Sequence, residues 1–199
     1  MHDLLVRMQS EQEVPNTLQN RLFLSLNDLA QEHYGAILHL VRTGQHTGSA
    51  FALLRPLLEV CLRGIWANRC ATDKALEQIT KRKATFPSLK SLAKTVGASF
   101  EGIGAKGIFA VSDNFVNALH GLTHGGVEAL AFRVNSDTGK IFPDYPDEEI
   151  ERLLTRAASF TTTMAIVRSQ VFSGSWDTSS PSTTKIVEMY TALFRINRS

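Results

Sequence analysis

The sequence has little of what disulfide-rich scaffolds and cysteine-based metal sites require. Cysteine occurs twice in 199 residues, at Cys61 and Cys70, which is too few for a disulfide framework or a structural zinc site. The two lie nine residues apart in one predicted helix. A rotation of about 100° per residue points them to opposite sides, so they cannot bridge each other. A reducing, cytoplasmic location is therefore expected.

The sequence also lacks an excess of charge of one sign and any long apolar run. Lys and Arg number 21 and Asp and Glu 19, which gives a formal net charge of +2. Proteins that bind nucleic acid through bulk charge are normally much more basic, so only a local basic patch remains as a route to such binding. Apolar runs are interrupted by charge well short of the roughly 18 residues of a membrane helix, so no membrane partner is expected.

What the sequence has instead is helical periodicity along most of its length, with 43% hydrophobic residues to form a core. Asn16 is the expected N-cap of a helix that runs to about Thr43. The most apolar segment, AFALLRPLLEVCLRGIWANRC, follows Thr47–Gly48–Ser49 and is expected in the middle of a bundle. Pro87 is expected at the first position of a shorter helix. A long helix is predicted from the acidic residues after Pro146 to about Phe172.

The predicted fold is an all-α, antiparallel four-helix bundle that forms a single domain over residues 1–199. The core bundle is assigned to residues 16–172. A Ser/Thr-rich linker at 173–182 and a C-terminal helix at 183–199 follow it. One stretch is strand-like: ALAFRV, NSDTG and KIFPDY, within residues 129–145, have the outline of a small β-hairpin inserted into the bundle.

Three charges line one stripe of the most apolar helix. Arg55, Glu59 and Arg63 are spaced by four, so they share a helix face. Charges in such a helix must be paired or hydrated. One interpretation is a salt-bridge ladder, internal or facing solvent. The other is a stripe that lines a cleft and receives an anion, which Pro56 favours because a proline inside a helix frees the carbonyl of Ala52 and kinks the helix.

A pair of histidines occurs in the segment HGLTHGG. His120 and His124 are spaced by four on one predicted helix face, which is a spacing that a metal pair uses. Glu128 extends the row only if the helix continues through Gly125 and Gly126, which we do not expect, so no metal and no cofactor are predicted. A histidine at the end of a helix can act as a general acid or base near neutral pH. The alternative is a histidine that only caps the helix end.

The run LLRPLLEVCLRGIW, followed later by LHGLTHGG and a short hairpin, resembles a family of bacterial helical proteins of the HEPN-like superfamily. The resemblance covers about residues 20–170. That superfamily includes abortive-infection and toxin ribonucleases. In its catalytic members an arginine precedes a histidine by four to six intervening residues, on a helix at a dimer interface. Such enzymes cleave RNA without a metal by directing the ribose 2′-hydroxyl at the neighbouring phosphate.

Carried onto this sequence, the resemblance makes His124 the motif histidine. The motif arginine is missing, because the three positions that suit it hold Asn117, Ala118 and Leu119. Asn117 can hydrogen-bond a phosphate but cannot neutralise it. Arg55 or Arg63 from the adjacent helix can supply the cation of a rearranged site.

The resulting functional hypothesis is an RNA-directed protein, a metal-independent ribonuclease or toxin of a defence or toxin–antitoxin module. The catalytic residues are predicted to be His124 as acid/base, Arg55 as phosphate ligand and Glu59 as the group that orients them. Arg63, Asn117 and His120 are predicted to bind substrate. The expected partners are a second copy of the chain, RNA or a nucleotide, and an antitoxin protein. The alternative is a non-catalytic bundle that binds a nucleotide or a partner protein in the same cleft.

Overall fold

The computed structural model describes residues 15–100, 112–134, 138–139 and 141–173. Its regular structure is helical, as predicted for an all-α protein. The helices are α1 (Leu18–Thr43), α2 (Thr47–Arg69), α3 (Asp73–Thr80), α4 (Leu89–Ala98), α5 (Asp113–His124), α6 (Val127–Ala131) and α7 (Asp147–Ser173). The predicted linker at 173–182 falls outside the described residues except for its first position, and the predicted C-terminal helix at 183–199 falls wholly outside them.

Helix α2 lies at the centre, as its apolar composition predicts. It packs against α1, α4, α5 and α7, and its contact with α1 is the most extensive among the described helices. Leu57, Leu58, Leu62 and Ile65 of α2 are fully buried. None of the helices within the described residues has both the length and the apolar content that crossing a bilayer requires.

Two predicted helix starts are displaced by one or two residues. Helix α1 is capped by Thr17 and not by Asn16, because the Thr17 hydroxyl accepts a hydrogen bond from the Asn20 amide at 3.1 Å. Helix α4 is capped by Ser88, whose hydroxyl accepts from the Ser91 amide at 3.3 Å. Pro87 therefore precedes the cap and does not open the helix.

The predicted β-hairpin is reduced to a single backbone bridge in the described part of residues 129–145. That bridge joins Val134 and Ile141 in antiparallel orientation. The first half of the predicted hairpin begins inside helix α6, where Ala129, Leu130 and Ala131 are good helix formers that follow the Gly126 cap. A short apolar run does not by itself distinguish a strand from a helix, and here the local helix is the more stable choice.

Helix α3 ends on an arginine in the left-handed conformation. Arg82 has φ of 57°. The Arg82 amide donates to the Ile79 carbonyl at 2.9 Å and the Lys83 amide to the Gln78 carbonyl at 2.8 Å, which is the hydrogen-bond pattern of a Schellman cap. Glycine usually occupies this position, because the left-handed conformation costs an L-residue roughly 1–2 kcal/mol.

Helix α5 ends at the predicted glycine pair. Gly125 is left-handed, with φ of 74°, and its amide and that of Gly126 both donate to the Gly121 carbonyl. The backbone of Gly126 approaches that of Gly121 so closely that a Cβ atom on Gly126 would lie 2.8 Å from the Gly121 Cα. This close turn sets the position of His124, the last residue of α5.

We predict that Gly126→Ala lowers the free energy of unfolding by about 1–3 kcal/mol, since the new methyl group meets backbone that cannot move aside easily. Gly125→Asn is the matched control, because nothing lies within 4 Å of a Cβ atom there and asparagine tolerates the left-handed conformation. Urea denaturation measures both variants. Equal stability of Gly126→Ala and the wild type would contradict the close approach.

Candidate functional site

The three charges of α2 form a continuous ladder. The Arg55 Nε donates to Glu59 Oε1 at 3.0 Å, and an Arg63 guanidinium nitrogen donates to Glu59 Oε2 at 2.8 Å. Two guanidinium groups share one carboxylate, so the ladder keeps one net positive charge. The side chains of Arg55 and Glu59 are 22% exposed and that of Arg63 is 35% exposed, so water or an anion can reach them. Both predicted interpretations, a salt-bridge ladder and a polar cleft, therefore apply to the same residues.

The proline of α2 ties this ladder to helix α5. Pro56 has no amide hydrogen, so it cannot donate to the carbonyl of Ala52. The Thr123 hydroxyl approaches that carbonyl at 3.3 Å and also approaches the Leu119 carbonyl of its own helix at 2.8 Å. A hydroxyl carries one proton, so the two carbonyls share it and the shorter contact, to Leu119, takes the larger part. The contact with Ala52 places the end of α5 beside the charged stripe.

The histidine pair meets the ladder directly. His120 Nδ1 lies 2.6 Å from an Arg55 guanidinium nitrogen, although the two residues are 65 positions apart. Arginine is always the donor in such a contact, so Nδ1 is the acceptor and the imidazole proton sits on Nε2. The rings of His120 and His124 lie 4.4 Å apart between centroids. The structure therefore brings Arg55, Glu59, His120 and His124 into one cluster.

A cavity of about 350 Å³ opens over this cluster. That volume lies within the range of small-ligand pockets. Five of the residues that line it belong to α2, two to the end of α5 and one to α1. They are His33, Arg55, Pro56, Glu59, Val60, Arg63, Thr123 and His124.

His33 is the cavity residue that the sequence did not point to. It lies on α1 and is half-buried. Burial lowers the pKa of His33 below its ordinary value of 6.5, and the nearby charge of Glu32 opposes that shift. The imidazole is therefore mainly neutral at pH 7 and can accept a proton. In the sequence, the one feature that sets His33 apart is that it precedes Tyr34, which the structure buries. No local sequence pattern relates His33 to α2 or α5.

Two predicted substrate ligands, Asn117 and His120, are not among the residues that line the cavity. Both are exposed on α5. Asn117, His120 and His124 follow one another at spacings of three and four, so they lie along one face of α5. Asn117 is thus the far end of the row that leads into the cavity.

A second cavity, of about 310 Å³, lies between α2, α5, α6 and α7. Most of its lining is apolar, including Phe51, Phe115 and Phe132. We call the first cavity, which lies over the ladder of α2, the charged cavity. It is the stronger candidate for chemistry, because it alone of the two holds histidines beside arginines.

The described residues contain no group of three or more His, Cys, Asp or Glu side chains arranged to hold a metal ion. Glu128 does not continue the histidine row, because α5 ends before it. Its carboxylate instead packs against Gly121. The chemistry available to the cluster is hydrogen bonding by guanidinium groups and proton transfer by imidazoles.

We predict that Thr123→Val lowers the free energy of unfolding by about 1 kcal/mol, because it removes the hydroxyl proton that the Leu119 carbonyl shares with the Ala52 carbonyl. In a Pro56→Ala background the restored amide of residue 56 can donate to that carbonyl, so the same change should cost less. Chemical denaturation of the wild type, both single variants and the double variant measures this coupling. Identical costs of Thr123→Val in the two backgrounds would show that the threonine does not compensate for the proline.

We also predict a pH dependence of stability that comes from His33. Since the pKa of His33 is lowered on folding, the unfolded chain takes up the proton first as the pH falls. Stability is thus full above the unfolded value of about 6.5 and decreases as the pH falls through it toward the folded pKa. Denaturation curves at pH 8, 7, 6 and 5 should show a shallower decrease for His33→Gln than for the wild type. Parallel curves would exclude His33 as the origin.

Comparisons with known proteins give one match. A family model described as a family of unknown function, DUF6988, matches residues 27–195, which include every residue of the cavity. No curated protein and no solved structure matches the chain. Since the family model covers most of the sequence, the chain belongs to the DUF6988 family.

Proposed function

We propose that this protein is an RNA-directed protein of HEPN-like type that binds a phosphodiester in the charged cavity and cleaves it without a metal. The observation that carries the proposal is the contact between Arg55 and His120, which joins the cationic ladder of α2 to the histidines of α5. Guanidinium groups recognise phosphate oxygens through paired hydrogen bonds, and imidazoles transfer protons near neutral pH. Both groups occur in the same cavity.

The residues divide the reaction between them. Arg55 and Arg63 hold the phosphate, and Glu59 fixes both arginines through its two oxygens. His33, which is neutral because burial lowers its pKa, accepts the proton of the ribose 2′-hydroxyl. The 2′-oxygen forms a bond to phosphorus and the bond from phosphorus to the 5′-oxygen breaks. His124 acts as the general acid that gives a proton to the leaving 5′-oxygen.

His120 acts as a positioning residue in this proposal. Its Nδ1 accepts from Arg55, so it orients the guanidinium and leaves its Nε2 proton free to bind substrate. Asn117 extends the binding face along α5. A homodimer and a role as a toxin of a defence module belong to the same proposal and rest on the HEPN-like resemblance. A single mass near twice 22.0 kDa in light scattering would support the dimer.

A second candidate function is a non-catalytic module that binds a nucleotide in the same cavity. Two observations favour it. Both arginines already share Glu59, which leaves one net positive charge for a ligand. The position that the resemblance assigns to the motif arginine is held by Asn117, which lies outside the cavity lining.

We predict that His124→Ala reduces cleavage of a fluorogenic RNA oligonucleotide in the presence of EDTA by about 10²–10⁴-fold. The melting temperature should hardly change, because His124 is exposed. The matched control is His39→Ala, which removes an exposed histidine of α1 that does not line the cavity. Unchanged cleavage by His124→Ala would contradict its catalytic role.

A companion variant separates the two candidate functions. Asn117→Arg places a cation on the His120–His124 face of α5, where the HEPN-like motif has one. A gain of cleavage indicates that the site lacks only this charge. An inactive wild type that binds a mononucleotide, together with an inactive Asn117→Arg, favours the binding module.

A further inference from the structure

The turn after helix α3 carries three consecutive basic residues. Lys81, Arg82 and Lys83 are all exposed, and we call them the basic turn. The Nζ atom of Lys81 forms an ion pair with Oε2 of Glu77 at 2.9 Å. Arg82 and Lys83 form no ion pair within the described residues. Two cations of this turn thus have no ion-pair partner in the part of the chain that the structure describes, in a protein whose formal net charge is only +2.

Arg82 holds the position of the basic turn at which a charged side chain is least expected. Its φ of 57° and the two hydrogen bonds around it form a cap that glycine satisfies without strain. An arginine there makes the fold less stable than a glycine would. A strained backbone position of this kind can mark a functional side chain, and the exposed Arg82 guanidinium, which forms no ion pair within the described residues, is suited to bind an external anion.

An aromatic pair connects the basic turn to the charged cavity. Phe86 follows Lys83 by three residues, which an extended chain spans in about 10 Å at most. The Arg63 guanidinium lies over the Phe86 ring at 5.4 Å from its centroid, and the Trp66 ring meets Phe86 edge-on at 6.0 Å. Arg63 also lines the cavity. Phe86 therefore contacts an arginine that lines the cavity, and the basic turn lies within about 10 Å of chain from Phe86.

Alternating cations and aromatic rings are what a single strand of nucleic acid binds, because phosphates pair with the cations while bases stack on the rings. We infer that the basic turn and Phe86 form an extension of the charged cavity that binds single-stranded RNA beyond the phosphate held by Arg55 and Arg63. This inference rests on the proposed function and specifies its substrate as a single strand longer than a dinucleotide.

The test uses Arg82→Gly, because the inference requires its two effects to have opposite directions. Relief of the left-handed strain should raise the melting temperature by about 2–4 °C. Affinity for a fluorescent 2′-O-methyl RNA of about 12 nucleotides, which cannot be cleaved, should fall by about 3- to 10-fold. The slope of log K against log salt should fall by about 0.7 for the lost phosphate contact. Affinity for a 2′-O-methyl dinucleotide should stay unchanged.

Three controls accompany this variant. Arg82→Asn tolerates the left-handed conformation without the charge and should bind like Arg82→Gly. Arg82→Lys keeps the charge and should bind nearly like the wild type. Lys74→Ser removes an exposed lysine from the first turn of the same helix and should leave RNA affinity unchanged.

Several outcomes would overturn the inference. Wild-type affinity of Arg82→Gly for the long RNA would remove the basic turn from the binding surface, and an equal loss for Lys74→Ser would indicate bulk charge. Competition by poly-glutamate at the same charge concentration would favour an acidic protein partner. If the dinucleotide binds and depends on Arg63 while the longer RNA binds no better, this inference fails and the proposed function stands. If neither RNA binds the wild type, both fail.

Discussion

The arrangement of the candidate site depends on how helix α5 packs against α2 beside a proline. Pro56 lies in the central helix α2 and cannot donate to the Ala52 carbonyl. The Thr123 hydroxyl of α5 lies 3.3 Å from that carbonyl and 2.8 Å from the Leu119 carbonyl, so the two carbonyls share its single proton. Because α5 is held to α2 at this point, its last turn and the histidines within it lie beside the arginines. The contact beside Pro56 of α2 thus helps to bring the arginines and the histidines together.

The charged ladder shows how an apolar helix can carry three ionised groups. Each arginine of the stripe bonds to a different oxygen of Glu59, so both guanidinium groups are paired. Partial exposure keeps the cost of removing these charges from water low. The same geometry leaves one positive charge in excess and holds both guanidinium groups in place before any ligand arrives. Such preorganisation is what an anion-binding site requires.

The cavity also depends on helices that approach α2 separately. Helix α1 brings His33, which burial keeps neutral near pH 7, and α5 brings His124, which is exposed. Two imidazoles in different surroundings are suited to different steps of a proton transfer. At the Arg63 end, the guanidinium lies over the ring of Phe86, and the exposed lysine and arginine residues of the basic turn precede Phe86 in the chain.

The sequence by itself determined that the protein is helical and roughly where its long helices begin and end. It also determined which residues share the charged face of α2 and the histidine face of α5. The spacing of Arg55, Glu59 and Arg63 by four fixes them on one stripe, and the same rule pairs His120 with His124, because neighbours at this spacing are set by the backbone of a single helix. The sequence was less informative where two local conformations have similar free energies. The N-cap of α1 is Thr17 and not Asn16, and the segment ALAFRV begins as a helix and not as a strand. Only the tertiary structure decided that Arg55 contacts His120 across 65 positions, that His33 lines the cavity and that Asn117 does not. These facts follow from how helices pack on α2, and packing between distant segments leaves no periodic signal in the chain.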